Sequence, residues 1–394
     1  MILKNKRILL GVSGSIACYK ALDLTSKLVQ GDAVVDVIMT EAACKFITPL
    51  SFQGVSGRPV STNLWTLGNG DIGHIEMANS ADLVVIAPAT ANVIAKLAHG
   101  LADDLLTTTV LATKARLIVA PAMDGNMYYH PLVQQNINKL LEMGVIIVGP
   151  NEGRLASGMV SKGRLSEPHE ILGHIRAVLG SQGDLKGKKI VVTAGGTQEP
   201  IDPVRIITNH SSGKMGYAIA EAARDRGAKV TLVTAATGLP IPVSMEIVHV
   251  KTAAEMQVAV QKSLNGVTAL IMAAAIGDFR PKMLSNQKLK TDKGDLELSL
   301  TKNPDILATV KGSFIKVGFA AETQSLETNA KKKLLEKDLD FIVANNVIEP
   351  GSEFASDTNR VIILDKEGGI DSLPTMPKAN VAESILDRVV EIIK

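Results

Sequence analysis

"RILLGVSGSIACYKALDLTSKLVQGDAVVDVIMT", residues 7–40, sets the class of fold. Two short apolar runs, 7–13 and 34–40, flank "SIACYKALDLTSKLVQ", whose apolar residues recur at helical spacing. Apolar runs without polar alternation belong to parallel strands covered on both faces, and parallel strands need a crossover helix between them. The stretch is therefore a strand–helix–strand unit. The same alternation continues with strand candidates "DLVVIAPAT" (82–90), "RLIVAPAM" (116–123) and "VIIVGP" (145–150). It restarts with "KIVVTAGG" (189–196), "KVTLVTAA" (229–236), "ALIMAAAI" (269–276), "IKVGFAAE" (315–322) and "DFIVANNV" (340–347). Between the series lies "LGSQGDLKGKK" (179–189), Gly-rich and polar, which reads as a linker. The expectation is two doubly wound α/β domains with mostly parallel sheets, residues 1–180 and 186–394. The final "KANVAESILDRVVEIIK" reads as an amphipathic closing helix.

A chain of 394 residues with 46% hydrophobic and 21% charged residues has enough apolar side chain for two cores. A net charge of +2 leaves no electrostatic footprint for nucleic acid. Two cysteines, Cys18 and Cys44, are too few for a disulfide framework and fit a reducing cytosol. The lysine-bearing N-terminus lacks a small-residue cleavage pattern, and no segment offers ~20 unbroken apolar residues. A cytoplasmic enzyme of small-molecule chemistry, without membrane or nucleic-acid partners, is expected.

In open parallel sheets, ligands sit beyond the carboxyl ends of the strands. "GVSGSIA" lacks the glycine spacing of a dinucleotide site, which disfavours an NAD-dependent dehydrogenase. Ser13, Gly14 and Ser15 instead offer hydroxyls and bare amides at a helix start, suited to one phosphate; tight strand–helix packing would explain small residues as well. "GVSGSIACYK", "MTEAACKFITPLSFQGVSG", "GHIEMANSADLVVIAPATAN", "DDLLTTTVLA" and "PAMDGNM" occur in order, and together they resemble the flavin-dependent cysteine decarboxylases. The resemblance implies a flavodoxin- or Rossmann-like flavoprotein domain. It implies FMN held by Ser13, Gly14, Ser15, Thr40, Thr90, Asn92 and the "DDLL" segment, in sites built between subunits of a homo-oligomer. It also implies His74 of "GHIE" as the catalytic base, and Asp124, Met127 and Arg164 toward the substrate.

The implied chemistry needs an electron sink, because a saturated cysteine side chain has none. Hydride removal from the sulfur-bearing carbon creates a thioaldehyde, CO2 leaves as an ene-thiolate forms, and protonation with hydride return closes a redox-neutral cycle. Two positions depart from the family pattern. Asp124 stands where an amide usually meets the substrate carboxylate; an ionised Asp repels that group unless it is protonated, turned away or bridged. Ser157, in the flap "RLASGMVSKGRLSEP", stands where a cysteine is usual. A hydroxyl is a far weaker acid than a thiol of pKa ~8.5, so Ser157 orients a water, or Tyr128 or Tyr129 donates the proton.

"VVTAGGTQEPIDPVRIITNHSSGKMG" (191–216) looks at first like a phosphate loop, but Met215 follows Lys214 where a P-loop has Ser or Thr. With "MAAAIGDFRP", "QKLK", "KNPDIL", "VGFAAET" and "AKKKLLEKDLDFIVANN", it resembles the phosphopantothenate–cysteine ligases. Decarboxylase followed by ligase on one polypeptide is the order of the bacterial bifunctional enzymes of coenzyme A biosynthesis. Their substrates would be 4′-phosphopantothenate, cysteine, CTP and phosphopantothenoylcysteine. The implied ligase activates the pantothenate carboxylate as an acyl-cytidylate, releasing pyrophosphate, and cysteine displaces CMP. Transfer at the α-phosphate explains why no Walker hydroxyl is needed.

By position, the CTP contacts fall on Met272, Ala273, Ala274, Asp278, Lys288, Pro304, Asp305, Ile306, Leu307, Phe319, Lys333 and Lys337. Lys333 and Lys337 share one helical face. Asn209 is implied in stabilising the acyl-cytidylate, with a turn-capping asparagine as the plainer reading. Asp278 is a candidate for Mg2+ or a nucleotide hydroxyl. Lys214 reads equally as a phosphate contact or a helix-surface lysine. Two further alternatives are a chain in which only the ligase works, and an FMN-binding scaffold without turnover.

Overall fold

A computed structural model describes residues 2–65, 73–236, 238–290, 296–322, 324–346 and 356–394. Val347, the last residue of one expected strand, lies outside them. The chain divides into two units, Met1–Leu179 and Gly180–Lys394.

Unit 1 runs β1 (Arg7–Val12), α1 (Cys18–Gln30), β2 (Val34–Met39), α2 (Pro49–Ser56), β3 (Val60–Ser61), α3 (Gly73–Ser80) and β4 (Leu83–Ala89). It continues with α4 (Ala91–His99), α5 (Leu105–Ala112), β5 (Arg116–Pro121), α6 (Gly125–Tyr128), α7 (Pro131–Glu142) and β6 (Ile146–Ile147). A hairpin, β7 (Asn151–Arg154) and β8 (Val160–Arg164), and α8 (Pro168–Gly180) complete it. The sheet order is β3-β2-β1-β4-β5-β6, parallel throughout. Alternate strand residues enter opposite cores, as the period-2 pleat requires. Ile8, Leu10 and Val12 pack under α1 and α8, whereas Leu9, Val84 and Ile86 pack under α4, α5 and α7. The strand order reverses between β1 and β4, which opens a crevice at their carboxyl ends.

Unit 2 runs β9 (Lys189–Ala194), β10 (Gln198–Pro200), β11 (Ile206–Thr208), α9 (Lys214–Asp225), β12 (Lys229–Thr234), β13 (Glu246–His249), α10 (Ala253–Ser263) and β14 (Ala269–Met272). Next come β15 (Phe279–Pro281), β16 (Leu300–Lys302), α11 (Ile306–Thr309), β17 (Ile315–Glu322), α12 (Leu326–Glu336) and β18 (Phe341–Asn346). The last elements are β19 (Thr358–Asp365), β20 (Ile370–Pro377) and α13 (Lys378–Ile393). The main sheet orders β13-β12-β9-β14-β17-β18-β19-β20, with the switch between β9 and β14. Its first six strands are parallel, and β19 and β20 are antiparallel. Helices α9 and α13 cover one face, and α10, α11 and α12 the other.

Residues 180–188 are not a free linker. Leu185 is fully buried in the core of unit 2 and its N–H donates to Arg226 O at 3.0 Å. Asp184 pairs with Arg226, whose guanidinium also reaches Asp387 at 2.7 Å. The glycines there serve close packing: a Cβ on Gly183 would lie 2.5 Å from Arg226 O.

Candidate functional site

In unit 1, Ser13, Gly14 and Ser15 follow β1, Thr40 follows β2, and Thr90 and Asn92 follow β4, so all border the carboxyl edge, those after β1 and β4 at the strand-order reversal. Ser13 is buried, and its hydroxyl is occupied within the fold: it donates to Pro88 O at 2.8 Å and accepts from Thr90 N at 2.9 Å. That clasp joins the two strands at the switch. Thr90 caps α4, its hydroxyl accepting from Val93 N. Gly14 is needed for close approach, since a Cβ there would lie 2.5 Å from Ala42 Cβ. The N–H groups of Gly14, Ser15 and Ile16 have no acceptor among the described residues, an arrangement that fits an anion at this loop. Within "DDLL", Asp104 caps α5 by accepting from Thr107 N at 2.8 Å, and it shares Lys96 with Asp103.

His74 is half-buried in the first turn of α3, a helix packed against α5. Since α3 precedes a parallel strand, that turn lies toward the carboxyl edge. Asp124 caps α6, accepting from Asn126 N at 3.0 Å. Ser157 Oγ donates to Asp124 Oδ2 at 2.6 Å. The Ser157 hydroxyl, helped by the Asn126 amide, holds the Asp124 carboxyl below its ordinary value. The two positions that depart from the family pattern therefore meet each other, and their bond ties the tip of the β7–β8 hairpin to α6. Met127 lies exposed on α6. Arg164 ends β8 and pairs with Glu167 at 3.0 Å, which in turn holds the buried Lys20 at 2.9 Å.

In unit 2, a cavity of about 980 Å³ opens at the carboxyl edge of the sheet. It gathers Asn209, the Met272–Ala274 segment, Asp278, the Pro304–Leu307 segment, Phe319, Lys333 and Lys337. Lys288 is exposed and does not line it. The segment after β14 is pinned by side chains: Thr193 Oγ1 accepts from Ala274 N at 3.1 Å and Thr197 Oγ1 from Gly277 N at 2.9 Å. Asn303 Nδ2 donates to Gly277 O at 2.8 Å, and Asn209 Nδ2 to Ala275 O at 3.2 Å. Asn209 therefore braces this segment rather than capping its own turn. Small residues at 273–275 leave the backbone open to a flat ligand.

Lys333 Nζ donates to Phe319 O at 2.8 Å. Burial pushes its ammonium below the ordinary lysine value, against the opposing charges of Asp278 and Glu322. Lys337 ion-pairs with Asp305, which also caps α11. Asp202 and Arg205 form a pair at 2.5 Å, and Asp202 also accepts from Leu289 N at 3.1 Å. They anchor the connecting segment that carries Lys288. The Arg205 guanidinium holds Asp202 well below the ordinary carboxylate range. Asp278 is exposed, and no cluster of three metal-ligating side chains occurs among the described residues. The cavity also takes in Lys214, Lys302, Asn345, Asn359 and Lys378, which sequence reasoning left open or missed. The Pro377–Lys378 helix start carried a usable signal, since Pro commonly marks a first helical turn.

Among the described residues, no helix is long and apolar enough to cross a membrane. Residues 2–180 match the Flavoprotein family, and residues 185–393 match the DNA/pantothenate metabolism flavoprotein C-terminal domain. The coenzyme A biosynthesis bifunctional protein CoaBC of Bacillus subtilis (strain 168) is 47% identical, over 100% of this chain and 98% of that protein. Its counterpart from Vibrio cholerae serotype O1 is 45% identical over 99% of each chain. The crystal structure of the C-terminal domain of a CoaBC protein is 39% identical with a TM-score of 0.46, covering 54% of this chain and 98% of that one. The chain belongs to the CoaBC family of bifunctional coenzyme A biosynthesis enzymes, decarboxylase and ligase on one polypeptide.

Proposed function

We propose that unit 2 joins cysteine to 4′-phosphopantothenate at the expense of CTP, and that unit 1 decarboxylates the product with bound FMN. The observation that carries the ligase reading is the cavity at the β9–β14 switch, where small-residue backbone, lysines and Asn209 converge. Met272–Ala274 and Pro304–Leu307 offer backbone to the base and ribose, and Lys333 and Lys337 offer charge to phosphate. The carboxylate oxygen of phosphopantothenate attacks the α-phosphorus, and the bond to pyrophosphate breaks. The cysteine amine then attacks the acyl carbon, the bond to CMP breaks and the amine proton leaves. Asn209 donates one N–H to Ala275 O, and its second N–H can serve the developing oxyanion. Mg2+ would enter with the triphosphate, using phosphate oxygens and Asp278, since this ion needs only one or two carboxylates beside a nucleotide.

In unit 1, the free amides of residues 14–16 would hold the FMN phosphate, next to Thr40, Thr90 and Asn92. Bound flavin supplies the acceptor and donor for hydride. His74 acts as base toward the substrate thiol, a task suited to imidazole near neutral pH. Met127 and Arg164 face the substrate, and the bridged Asp124 directs its charge to Ser157 instead of the substrate carboxylate. Inter-subunit FMN sites in a homo-oligomer complete this reading. It is tested by following CO2 release and CTP-dependent pyrophosphate release on one preparation. His74→Asn is expected to abolish the first and leave the second; loss of both together would refute independent sites.

A further inference from the structure

Two lysines at the cavity of unit 2 have no role in the proposed ligase chemistry. Lys214 lies in the first turn of α9 and Lys378 in the first turn of α13. They come from the sheet face opposite to Lys333 and Lys337, because α9 and α13 share one core while α12 belongs to the other. Chain reversal explains how Lys378 arrives. β19 runs back against β18 and β20 against β19, so Pro377 pairs with Thr358 at the carboxyl edge, where α13 begins.

Lys378 is 6% exposed, deep for a residue type that is almost never fully buried. One dipeptide engages both lysines. Ser356 O accepts from Lys378 Nζ, and Asp357 Oδ1 accepts from Lys214 Nζ at 2.6 Å. The Asp357 backbone carbonyl accepts from Lys378 N at 3.0 Å. The Asp357 side chain is 90% exposed, and an ion pair so open to water exchanges its partner at little cost. A phosphate brings more charge and more acceptor oxygens to the same ammonium groups.

We propose that Lys214 and Lys378 form an anion subsite for a ligand phosphate, and that Asp357 stands in for that phosphate until it arrives. The subsite rests on the reading of unit 2 as the ligase. Two of the three ligase substrates carry the required chemistry, the nucleotide in its terminal phosphates and the acyl substrate in its monoester.

The test uses the full chain. Pyrophosphate and inorganic phosphate are titrated calorimetrically, and KM is measured for CTP and for phosphopantothenate, on Lys214→Met, Lys378→Met, Lys378→Arg and Asp357→Asn. Each Lys→Met change should weaken phosphate-group binding about tenfold or more, the loss of one charge-assisted hydrogen bond. Lys378→Arg should retain most of it. Asp357→Asn should tighten binding about twofold to fivefold, as a weak competitor is removed. Weaker pyrophosphate binding with a raised KM for CTP assigns the subsite to the nucleotide. A raised KM for phosphopantothenate with pyrophosphate binding unchanged assigns it to the monoester.

Lys214→Met with wild-type melting and unchanged binding and KM values would overturn the subsite. Weaker binding in Asp357→Asn would overturn the stand-in role. Because Lys214 and Asp357 are not core residues, these arms hold even if Lys378→Met fails to fold. A wild-type chain that binds pyrophosphate through Lys214 yet shows no CTP-dependent turnover would refute the ligase reading and leave the subsite standing.

Discussion

Asp124 and Ser157 show what one hydrogen bond does to a charge. The bond from Ser157 keeps the carboxylate ionised to a lower pH than usual, so the latch between hairpin and α6 is complete above the ordinary carboxylate range. It is lost as pH falls through the depressed value. Ser157→Ala should return the Asp124 titration toward that of a free aspartate, read by carbonyl NMR; an unchanged titration would mean that the Ser157 hydroxyl does not lower it. Lys333 has the opposite problem, because burial lowers the ammonium that the proposed ligase reading offers to phosphate. Its charge is present below the lowered pKa and disappears as pH rises through it. KM for CTP should therefore climb at alkaline pH, and Lys333→Arg, which cannot deprotonate, should move that climb to higher pH. Sequence presented Ser13 as a hydroxyl for phosphate, but its partners Pro88 and Thr90 are 75 and 77 residues away. Such distant pairing leaves no local sequence pattern, and the same is true of Asp124 with Ser157.

The inner parallel strands were readable because they are largely apolar runs with helices between them. The short parallel edge strands β3 and β13 are not such runs and were not read. Nor was the antiparallel pair β19–β20. β20 is mostly exposed and holds Pro374 and Pro377, and proline is tolerated on an edge strand while it weakens any strand signal. The hairpin β7–β8 was read as a flap without strands, since its short members alternate polar and small residues. At the cavity, the resemblance to the ligases pointed to the segments at 272–274 and 304–307, which the fold brings together, and also to Lys288, which lies outside the lining. A lysine on a connecting segment has no periodicity to say where it points. The junction of α9 with β9 makes a test at this scale. A Cβ on Gly216 would sit 2.6 Å from Ala194 Cβ and 2.7 Å from Thr193 O. Gly216→Ala should cost about 1–3 kcal/mol by overpacking. Because Thr193 also holds Ala274, a raised KM for CTP should accompany the lower Tm; a wild-type Tm would show that α9 shifts freely.

The chain as a whole is two units with one main sheet each, and the boundary is less simple than its composition suggests. Gly-rich residues 180–188 signal a linker only when burial is ignored. Leu185 in the core and the Asp184–Arg226 pair make them part of unit 2. A fragment beginning at Lys189 should be less stable than one beginning at Gly180 by about 2–3 kcal/mol from the lost leucine alone. That corresponds to a Tm lower by roughly 5–10 °C for a domain of this size, and equal melting of the two fragments would place the boundary later. The closing helix has a practical consequence. α13 begins beside the cavity at Lys378 and runs 16 residues away from it, about 24 Å at 1.5 Å per residue. A fluorophore attached beyond Ile393 would therefore stand clear of the ligand, and could follow occupancy through the helix without blocking entry.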